Sequence, residues 1–390
     1  MGPIVTLLKQ RFVFFGLIFV FLPCSMYILI SSTDITGEKA AMKRLVKLQL
    51  RVEEFSKKYR AKEEEVEILS HHLSLLYDSG KLSAKTRTLL RKRTHRMRVP
   101  STYHFQPHLL RASSLRPAFA ISKDRYGVSM ALGIPSVKRH VRNYLLTTLR
   151  NILNGMSESE KNDTVIIVFV AETRKKVLYS IINKIVEHFE KELNCGLVEL
   201  VSPPASYYPE MSRLRLTLGD TEERVRWRTK QNLDFAFLMM YAQEKAKFYV
   251  HLEDDVIAVP HFVTTMKNVA LERIKRKKPW FVLDFCQLGM IGKMFRAADL
   301  SWIVQFFFMF HNDQPADWLL QHLINIKSCS YDYTPEQCSK AEQKQWIRYT
   351  PSFFQHIGKN SSLKGKIQNL EVNDFGSSGW NANHSKLITV

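Results

Sequence analysis

The feature that most constrains the fold is a regular alternation of strand-like and helix-like segments after Pro100. Short runs rich in apolar β-branched and aromatic residues lie at 128–134, 164–171, 197–201, 248–252 and 280–285. Segments with helical periodicity lie between them, at 141–154, 177–193 and 224–245. Strands that alternate with helices predict an α/β fold with a mainly parallel sheet. In such sheets ligands bind beyond the carboxyl ends of the strands, so we expect the chemistry there.

Composition and charge exclude several classes of protein. A hydrophobic content of 45% is sufficient for a core of ordinary size. The net charge of +20 favours anionic ligands or surfaces. Part of this excess lies in the basic run at 87–98, which we interpret as a solvated linker because no aromatic or groove-reading element accompanies it. The segment GIPSVKR follows the first strand in place of a glycine-rich phosphate loop. Nucleic-acid binding, dinucleotide-binding and P-loop folds are therefore not expected.

The first hundred residues have a different pattern. Residues 12–30 are nineteen uncharged, mostly bulky residues, which is long enough for a helix to span a bilayer. Lys9 and Arg11 precede this run, so we predict a type II signal-anchor with a cytoplasmic tail at 1–11. Nine of the ten a and d positions of a heptad pattern at 45–76 are apolar, which predicts a dimerising coiled coil within a luminal stem at 31–99. The alternative is one amphipathic helix lying on the luminal domain.

Cysteines and glycosylation sequons give a weaker indication of the compartment. Five cysteines are too few for a disulfide framework. Cys329 and Cys338 flank a short polar stretch and are the bridge expected in an oxidising compartment. Cys195 and Cys286 lie beside strand-like runs, which favours buried free thiols. Sequons for N-glycosylation occur at Asn162, Asn360 and Asn383.

Three adjacent carboxylates form the clearest candidate site. The strand-like run 248–252 leads directly into Glu253, Asp254 and Asp255. Such carboxylates repel one another unless a cation or ordered donors neutralise them. Mg²⁺ or Mn²⁺ carrying substrate phosphates is the usual cation, because these ions take one or two carboxylates and complete their shells with phosphate and water. The alternative is a solvated acidic turn.

A cationic helix precedes this strand. The segment RVRWRTKQ at 224–231 places Arg226 and Lys230 one turn apart on the same helical face. Cations beside a metal-ready strand end suit a nucleotide diphosphate, since the diphosphate needs positive charge and the metal needs carboxylates. The alternative is a solvated charged face.

Two later residues are further candidates. Asp317 lies in the first turn of a helix that Pro315 opens, where the carboxylate is either favoured by the helix dipole or acts as a general base for an acceptor hydroxyl. His356 lies between apolar residues, and it is either a core histidine or a ligand that closes the metal site from a late loop.

Five segments together resemble the catalytic domain of the N-acetylglucosaminyltransferase IV family: SPPASYYPE, ERVRWRTKQNLDFAFLMMYAQEKAKFYVHLEDD, QLGMIGKMF, PADWLLQH and PSFFQHIG. The resemblance covers residues 99–375. It implies a GT-A glycosyltransferase domain at 100–375, a C-terminal tail at 376–390, Golgi type II topology and an inverting mechanism. It further implies transfer from UDP-N-acetylglucosamine, in β1,4 linkage, to the α1,3-mannose arm of N-glycans, and association with other Golgi glycosyltransferases.

The resemblance also implies roles for single residues. Asp255 is similar to the metal-bridging aspartate of GT-A enzymes, and His356 to a late residue near the diphosphate and metal. The remaining implied roles are general base for Asp317, contact with the nucleotide sugar for Glu253 and Asp254, contact with the donor for Arg226 and Lys230, and a family cysteine pair for Cys329 and Cys338.

Two departures from the family pattern bear on activity. The chain stops soon after residue 375, where active members continue into a lectin-like domain. Asp284 and Cys286 stand where the family has Glu and Ser. Asp is one methylene shorter, so a catalytic carboxylate that positions acceptor or metal is set back by about an ångström, which can cost on the order of 100-fold in rate. Short family members include an inhibitor of N-acetylglucosaminyltransferase I. A catalytically silent regulator that binds another transferase is therefore the alternative function.

Overall fold

The computed structural model describes residues 101–111, 113–139, 141–363 and 365–375, with scattered positions between 62 and 85. The chain divides into two units, at 1–98 and 99–390, and the fold below belongs to the second. The predicted anchor at 12–30, the tail at 376–390 and most of the predicted stem lie outside the described residues. Among the described helices, none has the length and apolar character needed to cross a membrane.

The strands of the second unit form one large mixed sheet and one small pair. Their bounds are β1 Phe119–Ile121, β2 Val128–Ser136, β3 Thr164–Val170, β4 Val198–Ser202, β5 Ala246–His251, β6 Val256–Ala258, β7 Val282–Asp284, β8 Lys293–Arg296, β9 Trp346–Arg348 and β10 Phe354–His356. The large sheet has the order β1-β4-β3-β2-β5-β8-β7-β9, and β6 pairs with β10.

The centre of the large sheet is parallel, as the sequence predicts. Strands β4, β3, β2 and β5 run in the same direction, with Gly133 opposite His251 and Ser136 opposite Val170. Towards the edges, β1 and β8 pair antiparallel with their neighbours, so the whole sheet is mixed rather than uniformly parallel. The alternation of apolar runs does not reveal strand β8, because only two of its four residues, Met294 and Phe295, are apolar.

Helices cover both faces of this sheet. Their bounds are α1 Thr102–Phe105, α2 Leu145–Gly155, α3 Glu158–Asn162, α4 Lys175–Asn194, α5 Glu222–Ala242, α6 Phe262–Lys275, α7 Leu300–Phe310, α8 Ala316–Ser328 and α9 Pro335–Gln345. One apolar cluster joins the sheet to α2, α4 and α6, and a second joins it to α5, α7 and α8. Alternate residues of β3 enter opposite clusters, Ile166 and Val168 the first and Ile167 and Phe169 the second. This period of two explains why β3 is apolar throughout.

The cysteines divide between a bridge and two free thiols. Cys329 and Cys338 form the disulfide that the sequence favours, and it joins the end of α8 to α9. Cys286 is buried, as predicted. The prediction of a buried thiol at Cys195 is wrong, because this residue is exposed. Cys195 follows the last turn of α4, where the chain reverses through Gly196 at φ +75°. It therefore precedes β4, which begins at Val198, and is not part of the buried strand.

Candidate metal and nucleotide site

The acidic triplet lies in the turn between β5 and β6, beyond the carboxyl end of a central parallel strand. Thr148 of α2 holds this turn. Its Oγ1 donates to the carbonyl of Asp254 at 2.9 Å and accepts from the amide of Val256 at 3.1 Å. Because the backbone of the turn is hydrogen-bonded to a helix, the positions of the three carboxylate-bearing residues are fixed relative to α2.

His356 reaches the triplet because β10 pairs with β6. The register places His356 opposite Val256, and the amide of Ile357 donates to the carbonyl of Asp255 at 2.8 Å. His356 Nε2 lies 3.1 Å from Asp255 Oδ2. A Cβ at Gly358 would overlap Asp255 Oδ2, so this approach requires glycine. His356 is therefore the last residue of a strand, not part of a loop as the sequence suggests.

Three side chains bring potential metal ligands together. One ligand atom from each of Glu253, Asp255 and His356 lies within 4.8 Å of the other two. Asp255 is buried, and its Oδ1 accepts no hydrogen bond within the described part of the chain. Carboxylates and imidazoles are common ligands of divalent cations. A buried carboxylate oxygen without a hydrogen-bond partner is available to coordinate a metal ion. The residues present thus fit a divalent metal.

Asp254 is held differently from its two neighbours. Ser136, the last residue of β2, donates from Oγ to Asp254 Oδ2 at 2.6 Å. Arg139, three residues later, pairs with Asp254 Oδ1 and approaches Asp255 Oδ2 to 2.9 Å. Neither Ser136 nor Arg139 was predicted, although both lie in the GIPSVKR segment. Their position just after the first strand of a parallel sheet was the available signal, since strand ends converge at one edge.

Burial and mutual repulsion dominate the electrostatics. Burial raises the pKa of Glu253 to about 7, and the charge of Asp255 adds to this effect. Burial also raises the pKa of Asp254 against the opposing influence of Arg139. For Asp255, burial acts in the same direction, but the hydrogen bond from His356 and the charge of Arg139 outweigh it and lower the pKa. Burial disfavours charged His356, yet Asp255 reverses this and raises its pKa. The site thus has more negative charge than its own cations neutralise.

A cleft of about 240 Å³ adjoins the triplet and is lined by Glu253, Asp254 and residues of α5. Lys230 lines it, and its Nζ donates to Asp234 Oδ2 at 2.7 Å and to the carbonyl of Ala171 at 2.8 Å. Trp227 also lines it and donates from Nε1 to Ser362 Oγ at 3.0 Å. The lining of the cleft therefore combines cations, an indole and carboxylates.

The other predicted site residues lie outside this group. Arg226 is exposed, pairs with Glu222 and donates from Nε to the carbonyl of Met211 at 3.1 Å. Asp317 lies in the first turn of α8, half-buried, and within the described residues it has no hydrogen bond or ion pair. The structure brings neither side chain into contact with the triplet, and their predicted roles stay predictions.

Asp284 is engaged in a separate buried network. Its Oδ1 lies 2.7 Å from Lys293 Nζ, and its Oδ2 accepts from Trp346 Nε1 at 2.8 Å. Arg348 Nε lies 3.5 Å from the same Oδ2. Asp284 and Lys293 are both almost fully buried. The structure therefore places Asp284 in an ion-pair network between β7, β8 and β9 and not among the candidate metal ligands.

The sequons differ in their surroundings. Asn162 is exposed at the end of α3. Asn360 is half-buried beside the site, where its carbonyl accepts from Arg139 and its Nδ2 lies 3.4 Å from Tyr144 Oη. Asn383 lies outside the described residues.

Comparisons with known proteins agree with the motif resemblance. A model of the MGAT4 conserved region matches residues 95–375. Alpha-1,3-mannosyl-glycoprotein 4-beta-N-acetylglucosaminyltransferase A of Macaca fascicularis is 47% identical over 299 residues, 76% of this chain and 56% of its own. The B enzyme of Danio rerio is 43% identical over 354 residues, 90% of this chain and 64% of its own. The human B enzyme is 47% identical over 291 residues, 74% of this chain and 53% of its own.

Solved structures resemble the chain only distantly. S. aureus TarS 1-349 in complex with UDP-GlcNAc has a TM-score of 0.30 and 9% identity, covering 56% of this chain and 71% of that one. A likeness this low supports no further argument. The curated relatives are decisive for kinship, although the matched region spans only about half to two thirds of their length. The conserved-region match, together with the motifs at the triplet, α5 and β10, shows that the chain belongs to the MGAT4 family.

Proposed function

We propose that residues 100–375 form the GT-A catalytic domain of a metal-dependent, inverting N-acetylglucosaminyltransferase. The donor is UDP-N-acetylglucosamine, and the acceptor is the α1,3-mannose arm of N-glycans, extended in β1,4 linkage. The observation that carries the proposal is the convergence of Glu253, Asp255 and His356 within 4.8 Å beside a cleft that Lys230 lines. The relatives are alpha-1,3-mannosyl-glycoprotein 4-beta-N-acetylglucosaminyltransferases, and this similarity supports the same acceptor and linkage here.

The proposal assigns a task in this reaction to five residues. Glu253, Asp255 and His356 would hold the cation, and Mn²⁺ or Mg²⁺ bound there would supply charge stabilisation for the departing diphosphate. Lys230 places a second positive charge in the cleft, which favours the diphosphate of the donor. Asp317 has no partner within the described residues and accepts the proton of the acceptor hydroxyl. Attack opposite the leaving group then inverts the anomeric configuration.

The proposal includes a location. The apolar run at 12–30 behind Lys9 and Arg11 supports a type II anchor in the Golgi membrane with a luminal catalytic domain. The heptad pattern at 45–76 supports a stem that forms homodimers and associates with other Golgi glycosyltransferases. N-glycans on luminal glycoproteins are then the accessible acceptors.

A second candidate function is a catalytically silent regulator that binds another Golgi N-acetylglucosaminyltransferase. Asp284 favours it. This residue stands where the family has Glu, and both of its oxygens are occupied by Lys293 and Trp346 in a buried network. A carboxylate held in this way does not reach a substrate, so a family member that needed it for turnover would be silent. An intact donor site serves both functions.

The deciding experiment is an assay of the purified full chain with UDP-N-acetylglucosamine, Mn²⁺ and a biantennary N-glycan. We expect turnover, and we expect Asp317→Asn to lower kcat by roughly 10²- to 10⁴-fold while UDP affinity stays the same, because the amide cannot accept a proton. Asp332→Asn, at an exposed carboxylate in the loop between α8 and α9, is the matched control and should retain activity.

Inactive wild-type protein that still binds UDP would refute the transferase proposal. If wild type and Asp317→Asn then change the N-glycans of expressing cells equally, the regulator is supported. Turnover that survives unchanged in Asp317→Asn would instead remove this residue from the mechanism.

A further inference from the structure

Arg139 is the one described cation that touches two members of the triplet. It lies in the loop after β2, and its side chain is 7% exposed. Nη2 pairs with Asp254 Oδ1 and lies 2.9 Å from Asp255 Oδ2. Nη1 donates to the carbonyl of Asn360 at 2.7 Å, and the guanidinium lies 5.2 Å from the ring centre of Tyr144. The residue therefore joins the loop after β2, the triplet and the segment after β10.

The contacts of Arg139 overlap with the candidate metal ligands. Asp255 Oδ2 is shared between the guanidinium and His356 Nε2, while Asp255 Oδ1 has no partner among the described residues. A guanidinium stays protonated at any physiological pH, so deprotonation cannot remove its positive charge from the site. A divalent cation that binds Asp255 consequently meets a permanent positive charge on the same carboxylate.

Arg139 also has an unfilled donor. Its Nε is buried and makes no hydrogen bond within the described part of the chain. Arg139 lines the same cleft as Lys230, where the donor diphosphate is proposed to bind. Buried donors are normally satisfied, and phosphate oxygens are preferred partners of a guanidinium. An anion bound in the cleft would bring negative charge close to Arg139 and offset its repulsion of the metal.

We propose that Arg139 is a positioning residue that makes metal binding depend on the nucleotide diphosphate. It keeps Asp254 and Asp255 assembled without metal, opposes a free divalent cation by its charge, and ceases to oppose it when the diphosphate brings compensating negative charge. This inference rests on the proposed function, because it takes Glu253, Asp255 and His356 to be the metal ligands. Coupling between two ligands is reciprocal, so the metal must strengthen nucleotide binding by the same factor.

The test measures Mn²⁺ affinity from the electron paramagnetic resonance signal of the free ion, using the full chain with and without UDP. In wild type we expect Mn²⁺ to bind at least about 10-fold more tightly to the UDP-loaded protein, within the usual range of coupling. Arg139→Gln removes the charge but keeps amide donors for Asn360. We expect it to bind free Mn²⁺ roughly 10-fold more tightly than wild type, because a neighbouring like charge has gone, and to lose most of the coupling.

Two further variants separate charge from structure. Arg139→Lys keeps the charge and should restore most of the coupling. Arg142 is exposed, and its guanidinium lies 5.3 Å from the centre of the same Tyr144 ring. Arg142→Met removes this charge and should behave as wild type. A merely structural role for Arg139 predicts weaker Mn²⁺ binding in Arg139→Gln under both conditions.

The outcomes are distinguishable from failure of the proposed function. Wild type that binds no Mn²⁺ even with UDP refutes the metal-dependent transferase. Wild type that binds Mn²⁺ with equal affinity with and without UDP overturns the role of Arg139, whether or not Arg139→Gln folds. Unchanged or weaker binding of free Mn²⁺ by folded Arg139→Gln, checked by circular dichroism, also overturns it.

Discussion

Strand β5 has buried charge at both of its ends, and the two ends are organised in opposite ways. At the amino end, Lys245 Nζ lies 2.8 Å from Glu199 Oε2 and 3.1 Å from Oε1. Ser122 Oγ donates to Oε1 at 2.7 Å, and Tyr241 Oη donates to Oε2 at 3.0 Å. Both members of the ion pair are almost fully buried. Every oxygen of this carboxylate is therefore satisfied.

The carboxyl end of β5 is under-compensated. The three carboxylates of the triplet share one guanidinium and one imidazole. The buried Asp255 Oδ1 has no hydrogen-bond partner within the described residues. Burial and the charge of Asp255 raise the pKa of Glu253 to about 7. A charge pair that satisfies itself stabilises the fold and needs no ligand, whereas uncompensated charge destabilises the fold until a ligand arrives. This difference supports the proposal that the carboxyl end of β5 is the ligand-binding end.

The largest effect is expected at the amino end. Lys245→Met leaves Glu199 buried without its cation, which should lower the free energy of unfolding by about 3–5 kcal/mol. Denaturant unfolding measures this loss, and Mn²⁺ affinity of the folded fraction should not change. Lys247→Met, at an exposed position of the same strand, is the control and should be near neutral. Wild-type stability in Lys245→Met would contradict the structural role of this pair.

The next effect lies at the carboxyl end. Asp255→Ala removes the carboxylate that both His356 and Arg139 contact, and we expect Mn²⁺-dependent UDP binding to weaken by roughly 100-fold or more. Calorimetry with UDP and Mn²⁺ measures the change. Glu158→Ala, at an exposed carboxylate on α3, is the control and should bind as wild type. Equal affinities of Asp255→Ala and wild type would rule out Asp255 as a metal ligand.

A smaller effect should appear as pH dependence of the metal-free protein. The pKa of Glu253 is raised from 4.5 to about 7 in the folded state, so the folded state holds this proton more tightly than the unfolded state. Folding stability is then lost as pH rises through this window, and the raised pKa of His356 acts in the same direction.

The measurement is thermal unfolding in chelator at about pH 5 and about pH 7.5. We expect a lower midpoint at the higher pH, a smaller difference in Glu253→Gln, and recovery of the midpoint at the higher pH when Mn²⁺ is added. If Glu253→Gln has the same pH dependence as wild type, excess charge at this residue is not the cause.

The smallest effect is expected from N-glycans on the surface near the two ends of β5. Asn162 is exposed just before β3, at the edge of the sheet that also holds Glu199, so a glycan there should leave Mn²⁺ affinity unchanged. Asn162→Gln should reduce a glycosidase-sensitive mobility shift by the contribution of one glycan and change stability by less than about 0.5 kcal/mol. A glycan at Asn360 would instead compete with the contact to Tyr144 beside the cleft. Absence of glycan at Asn162, Asn360 and Asn383 in cells would contradict the proposed luminal location.

The sequence by itself determined the features that depend on neighbouring residues. The alternation of strands and helices, the central parallel strands, the triplet at the end of β5 and the Cys329–Cys338 bridge all follow from local patterns. Local patterns are readable because side-chain direction repeats every two residues in a strand and every 3.6 in a helix. Family membership was also determined at this level, because the motifs are long runs of neighbouring residues.

The tertiary structure alone decided which charges meet. Arg139 reaches Asp254 across 115 positions because β2 lies beside β5, and His356 reaches Asp255 because β10 pairs with β6. The same strand order places β7 beside β8, so Asp284 pairs with Lys293 and does not lie among the candidate metal ligands. Several acidic and basic residues were available for each pairing, and their types carry no information about strand order. Whether a carboxylate becomes a structural ion pair or a ligand site is therefore set by packing between distant segments.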